Sequence, residues 1–190
     1  VDFKVSGNLF SRWKYNHSSI KSIIAVSEAI KTILLPVINK KEIINVVYDC
    51  IDLTRYEAEA DIHFLKRELN LPLTTKLIGN LSALADHKDY PTFIRTAKEL
   101  LSRHNDIHFV VAGDGPLKEE IMNRVKAEQL EKHISFLGFR KDVPQLLKSL
   151  DVFLMTSKTE GLGSVILEAF ACGILVVTTT AGGIPEIVKN

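Results

Sequence analysis

Apolar residues fall into short runs separated by longer amphipathic stretches, and the alternation begins near residue 20. Residues 22–26 and 43–48 predict strands; between them Ser27 is a predicted N-cap for a short helix over 28–35, stopped by Pro36. Residues 49–56 carry no periodicity and mark a boundary or hinge. Beyond it, residues 57–69 predict one helix with Ile62, Leu65 and Leu69 on one side, ending before Pro72. A strand over 76–81 follows, and then Pro91 opens a helix in which Phe93, Ile94, Ala97, Leu100 and Leu101 form a single apolar stripe. Residues 107–112 predict a strand, Leu117, Ile121, Val125 and Leu130 the buried face of the next helix, 134–137 a strand and 143–150 a short helix. The apolar run 151–156 predicts a buried strand, and 165–172, free of Pro and Gly, a helix. Strands alternating with helices predict an α/β fold: a Rossmann-like, doubly wound parallel sheet covered on both faces, with ligands outside the carboxyl ends of its strands. Residues 1–19 are polar with scattered aromatics and no period of 2 or 3.6, so their basic aromatic cluster is expected to pack over a domain edge rather than touch a ligand.

The loops after the strands are then the places to look for chemistry: 82–88, 113–116, 138–142, 157–164 and 180–186. The fourth holds Glu160 and leads to Glu168, two carboxylates eight positions apart across a strand-to-helix turn. With Ser164 as N-cap, Gly161 and Gly163 leave the helix's free N–H groups unshielded, and Glu168 sits just over one turn in. A helix start favours phosphate, and a carboxylate beside it accepts hydrogen bonds from ribose hydroxyls. A nucleotide diphosphate carries both groups. Two glutamates at this spacing also arise by chance, as a charged loop and a solvated helix face. The turn Gly113, Asp114, Gly115, Pro116 reads equally well as a tight turn using glycine for positive φ.

Composition narrows the alternatives. Lys plus Arg is 24 against 23 for Asp plus Glu, with no basic helical face, so nucleic acid and anionic membrane are poor partners. Two cysteines, Cys50 and Cys172, fit a reducing compartment and hence the cytoplasm, with the inner membrane face open to a full-length protein. The longest nearly apolar run, 169–177, is far below the roughly 18 residues of a membrane span, and the first four residues lack the order of a signal peptide. A start without Met and a stop soon after a Gly-Gly-Ile-Pro turn suggest a piece of something longer. A dinucleotide fingerprint is incomplete at 113–118, which argues against a reductase or a sugar-nucleotide epimerase, and no P-loop, Asp-x-Asp pair or histidine ligand spacing occurs, so no metal site and no cofactor are expected.

The segment from Glu160 to Glu168, continued by Ala169-Phe170-Ala171-Cys172-Gly173 and by Ala181-Gly182-Gly183-Ile184-Pro185-Glu186, resembles the Glu-x7-Glu signature of retaining GT-B glycosyltransferases, in particular glycosyltransferase family four. The resemblance runs over roughly residues 20–190. It implies that residues 56–190 are the C-terminal nucleotide-sugar-binding domain, cut short at its end, and that 1–55 are the tail of the N-terminal acceptor domain and the hinge, the rest of that domain being missing. It implies a metal-independent retaining enzyme whose donor is a nucleotide-diphosphate sugar and whose acceptor is a saccharide or lipid-linked sugar, the fragment alone being inactive. Glu168 would hold the ribose and Glu160 the donor sugar; backbone N–H groups of Leu162, Gly163 and Ser164 would hold the diphosphate together with Lys88. The family's Gly-Arg-Leu-x-x-x-Lys-Gly pattern falls on 82–89, so its lysine is Lys88, whereas Ala83 stands in place of its arginine and puts a two-cation clamp in doubt. Gly113, Asp114 and Gly115 match a turn that lies near the nucleotide in that family. Gly138-Phe139-Arg140 matches a segment whose backbone faces the base, Arg140 itself being expected as a surface cation. Ala83 and the missing domain also motivate the competing expectation, a non-catalytic nucleotide-binding or assembly module.

Overall fold

A computed structural model of the protein describes residues 9–189, without the side chain of Ser11. The expected domains' ends, residues 1–8 and 190, lie outside the described residues. In chain order the elements are α1 (Leu9–Tyr15), β1 (Ile23–Ala25), α2 (Glu28–Leu34), β2 (Ile44–Val46), α3 (Thr54–Glu57), α4 (Phe64–Glu68) and β3 (Lys76–Leu81). They continue with α5 (Tyr90–Leu101), β4 (Ile107–Ala112), α6 (Lys118–Ala127), β5 (Ile134–Gly138), α7 (Val143–Lys148), β6 (Val152–Met155), α8 (Ser164–Ala171), β7 (Leu175–Thr178) and α9 (Ile184–Ile187). The chain divides into two compact units: one holds the chain up to Cys50 with Thr159–Gly163 and everything from Thr180, the other holds Ile51–Lys158 with Ser164–Thr179.

The larger unit is built on a five-stranded, fully parallel sheet in the order β5-β4-β3-β6-β7. The central strands are near-continuous apolar runs, as strands buried on both faces require; β4 is buried from His108 to Ala112. One face is covered by α5 and α6 through Phe93, Ile94, Ala97, Ile121 and Val125, with Phe93 edge-on to Phe109 of β4. Leu146 and Leu147 of α7 and Ile166 and Ala169 of α8 are also buried in this unit. From β3 the chain winds outward through β4 and β5, then returns to place β6 on the other side of β3, so the direction of winding reverses between β3 and β6. In open α/β sheets that reversal opens a crevice at the carboxyl ends of the strands. A buried polar tie holds the two strands there: Asn80 donates to the Leu154 carbonyl at 2.7 Å and accepts from Tyr90 and Ser82 at 3.0 and 2.6 Å. At the opposite end Asp151 accepts from the Leu77 amide at 2.9 Å and pairs with Lys76 at 3.0 Å and with buried Lys66 at 3.8 Å.

The smaller unit contains β1 and β2, paired parallel with each other, and an apolar cluster of Ala25, Leu34, Val37, Ile38 and Ile44. Ser27 is the N-cap of α2, as expected, accepting from the Ile30 amide at 3.1 Å. Two expectations need correction. Within residues 57–69 only Phe64–Glu68 form a helix, α4, while Glu57 ends α3, which starts at Thr54, and Ile62 between them is exposed instead of belonging to the buried stripe. Residues 9–15, where no periodicity was found, form α1; its Leu9, Phe10 and Trp13 are exposed, so no buried face imprinted a period on them.

Candidate functional site

At the carboxyl end of the sheet the larger unit holds a cleft of about 360 Å³. Its wall comes from the ends of three strands: Ser82 and Ala83 after β3, Gly113 and Asp114 after β4, and Phe139 and Arg140 after β5, with Val143 of α7 and Val165 and Glu168 of α8 completing it. Val165 and Glu168 are three apart and therefore share a helix face, while Ile166 and Ala169 turn into the core. Buried Tyr56 of α3 stands beside Glu168: burial pushes its phenol up to about 12, with the neighbouring carboxylate's charge and hydrogen bonding adding to this. The phenol therefore keeps its proton at neutral pH. Sequence reasoning missed Tyr56 because it lies in the hinge segment, where no pattern marks it.

The first two loops of the wall are fastened backbone to backbone. The Leu84 amide donates to the Asp114 carbonyl, the Leu117 amide to the Leu84 carbonyl, both at 3.0 Å, and the Gly113 amide to the Gly138 carbonyl at 2.8 Å. Gly113 has φ 146°, and any β-carbon there would overlap the Ser82 carbonyl; one on Gly115 would lie 2.7 Å from the Leu84 amide nitrogen. Both glycines thus serve the approach of two loops. Asp114 accepts from the Gly115 amide at 2.8 Å, and this bond, with Lys118 nearby, holds its carboxyl below the usual range.

Arg140 departs from its expected place as a surface cation. Only 22% of its side chain is exposed. It donates to Asp142 and, through two nitrogens, to Glu68, while lying 5.9 Å from the Phe64 ring centroid. Asp142 first, then Glu68, pushes the guanidinium's pKa up. The charge is compensated by carboxylates of this chain, one of them 72 positions away, which no local pattern announces.

Lys88 belongs to a 3-10 turn, Asp86–Lys88, after β3. Thr156, at the end of neighbouring β6, donates to the Lys88 and Asp89 carbonyls at 3.1 and 3.2 Å, and the Lys158 amide donates to the His87 carbonyl at 2.8 Å. Lys158 Nζ stands 3.4 Å from Asp86 and 3.9 Å from Asp89. The turn is therefore pinned across the point where the winding reverses. Ser164 is the first residue of α8 rather than the residue before it; Gly163, with φ 87°, makes the entry.

Glu160, Gly161, Leu162 and Gly163 belong to the smaller unit. There Ser27, fully buried, donates its hydroxyl to the Gly161 carbonyl at 2.6 Å. The Gly183 amide reaches the Glu160 carbonyl at 3.4 Å. Gly182 has φ 53° and would drive a β-carbon into the Glu160 carbonyl; one on Gly183 would lie 2.7 Å from Ser27 Cβ. Glu186 accepts from the Glu28 and Ala29 amides and from the Tyr48 hydroxyl, each at 2.9 Å. Its carboxyl is held below the usual range: burial opposes this, and the two amides and the phenol outweigh it. The 180–186 loop was marked by sequence as a strand end, but the partners of its Glu186, 138 to 158 positions away, were not legible.

The chain also resembles known proteins. The chain is 34% identical over 112 residues to the phosphatidylinositol N-acetylglucosaminyltransferase GPI3 subunit of Saccharomyces cerevisiae, covering 58% of this chain and 25% of that protein. It is 32% identical over 143 residues to the 2-deoxystreptamine N-acetyl-D-glucosaminyltransferase of Niallia circulans, covering 74% of this chain and 37% of the relative. The chain thus spans well under half the length of either. Among solved structures, Anabaena HepE in complex with UDP-glucose superposes with a TM-score of 0.79 at 28% identity, over 90% of this chain and 48% of that one. The architecture is that of the GT-B glycosyltransferases. The family model for glycosyl transferases group 1 matches residues 61–190, and the chain belongs to that family.

Proposed function

We propose that this chain is the donor-binding part of a glycosyltransferase that moves a sugar from a nucleotide-diphosphate sugar to a saccharide or lipid-linked acceptor with retention of configuration. The observation that carries the proposal is the cleft at the carboxyl ends of β3, β4 and β5 with Glu168 in its wall, which offers a carboxylate to ribose hydroxyls in a chain of this family. Residues 56–190 form the donor domain in this reading, and 1–55 the end of the acceptor domain and the hinge. Glu160 takes the donor sugar's hydroxyls. Lys88 and the N–H groups of Leu162, Gly163 and Ser164 at the start of α8 take the diphosphate and stabilise the charge that develops as it leaves, a task positioned dipoles and a cation perform without a metal. Uridine is the first base to test, since HepE is solved with UDP-glucose.

A panel of UDP, GDP and ADP and their glucose and N-acetylglucosamine conjugates tests the reading by thermal shift. One of them at a hundredfold excess over its dissociation constant stabilises the chain by about 2.7 kcal/mol. Calorimetry then separates the glutamates: Glu168→Gln weakens the bare diphosphate, whereas Glu160→Gln changes affinity for the sugar conjugate alone. Equal losses in both variants sink the division of roles. The chain binds donor without acceptor-dependent turnover, because holding both reactants in register supplies about 7 to 11 kcal/mol of such a barrier. Ala83, exposed in the cleft wall where the resembled family carries arginine, favours one second reading, a nucleotide-binding or assembly module without catalysis. Silence across the panel would remove the donor-binding reading.

A further inference from the structure

The Ser27 hydroxyl makes two bonds of different kinds. It accepts from the Ile30 amide at 3.1 Å, which is the ordinary work of an N-cap, and it donates to the Gly161 carbonyl at 2.6 Å. The start of α2 does not depend on the second bond, because Glu186 already receives the Glu28 and Ala29 amides. What the second bond does is hold a backbone carbonyl one residue beyond Glu160. The preceding carbonyl, of Glu160 itself, is met by the Gly183 amide at 3.4 Å. Two successive carbonyls held from one side fix the peptide planes that set the direction of the Glu160 side chain. The same corner excludes side chains where they would loosen it: a β-carbon at Gly183 would lie 2.7 and 2.8 Å from Ser27 Cβ and Oγ, and one at Gly182 would overlap the Glu160 carbonyl.

We propose that Ser27 is a positioning residue for Glu160: its hydroxyl, through the Gly161 carbonyl, aims the carboxylate that holds the donor sugar. The proposal rests on the assignment of Glu160 to the sugar. Full burial of Ser27 leaves water little access to compete for that carbonyl, so loss of the hydroxyl frees the peptide to rotate. Contacts that read a substrate lose their value when the group making them is displaced by about 1 Å.

The test measures, on the 190-residue chain, the ratio of affinities for a sugar nucleotide and for UDP, with UDP-glucose and UDP-N-acetylglucosamine as the probes. Ser27→Gly keeps an acceptable N-cap and removes the donated bond; Ser27→Ala removes both; Ser27→Thr keeps both. The ratio falls about three- to tenfold in the Gly and Ala variants, with UDP affinity at its wild-type level, and is restored by Thr. Should Thr fail to fold at so buried a position, the Gly variant carries the comparison. A capping role alone would lower the melting temperature of the Ala variant and leave the ratio unchanged in Ala and Gly alike, which overturns the proposal. Glu160→Gln separates the two failures. If it lowers the ratio and Ser27→Gly does not, Ser27 is not a positioning residue; if Glu160→Gln itself leaves the ratio unchanged, or neither probe binds, the assignment of Glu160 falls and the role of Ser27 falls with it.

Discussion

Glu160 and Glu168 are eight positions apart, and the chain holds them by different means. Glu168 rides on a helix whose Ile166 and Ala169 are fully buried, so its direction follows from the packing of α8 into the larger unit. Glu160 lies in a loop of the smaller unit, held through its main chain by a serine hydroxyl and a glycine amide from distant segments. A side chain aimed by a packed helix depends on apolar volume. One aimed by a loop depends on a few hydrogen bonds whose loss leaves the core intact, so a substitution remote from Glu160 is expected to redirect it without disturbing Glu168.

The sharpest way to break this comparison is to strain one unit and watch both. Gly113→Ala forces a side chain into φ 146° against the Ser82 carbonyl and is expected to destabilise the larger unit by about 3 kcal/mol or more. The single tryptophan, Trp13, lies in the smaller unit, so its fluorescence follows that unit during urea unfolding, while far-UV circular dichroism follows mainly the larger one. The dichroism midpoint falls in the variant and the fluorescence midpoint stays. Equal shifts by both probes would make the two units one cooperative block.

A smaller effect is expected at Lys88. Lys88→Ala lowers affinity for UDP about ten- to a hundredfold, as loss of a hydrogen bond to a charged group worth about 1.5 to 3 kcal/mol predicts, and leaves uridine unaffected. An unchanged titration with UDP removes Lys88 from the site. Loss of uridine binding as well would show that the pinned turn supports the whole cleft rather than the phosphates.

The smallest effect separates the units by pH. His108 in β4 is buried, its Nε2 2.8 Å from Ser135 Oγ, and burial, with His133 adding to it, pushes its pKa down from 6.5 to about 4. A depressed value means that the unfolded chain binds the proton more readily, so stability is full above pH 6.5 and is lost as pH falls toward 4. In urea melts between those values His108→Gln is expected to flatten the dichroism midpoint's dependence on pH and leave that of Trp13 fluorescence as it was. An unaltered slope would show that other groups govern acid stability.

Legibility followed the same division. Strands 76–81 and 107–112 were predicted residue for residue, because buried parallel strands must be apolar runs with polar ends. The loop positions of Lys88 and Gly113 followed from those strand ends, and that of Glu160 from the end of the apolar run 151–156. What stayed hidden has long-range causes. The first turn of α2 is satisfied by a carboxylate 158 positions on, and Arg140 is neutralised by Glu68, 72 positions before it. Helix α1 escaped because its large apolar residues face outward, so the pattern that marks a helix by its buried stripe was missing. The break between α3 and α4 escaped because Ile62 fits an apolar stripe in sequence and lies exposed in the fold.

The pairing of Glu186 with the start of α2 also sets a clock. During synthesis at roughly 5 to 20 residues per second, the 158 positions between Glu28 and Glu186 take about 8 to 30 s to emerge. By then every strand of the five-stranded sheet has been made, whereas α2, translated before all of them, still awaits the carboxylate for its first amides. The smaller unit thus gains its last hydrogen bonds after the strands of the larger one are made, and the loop bearing Glu160 is secured only once Gly183 has followed it out.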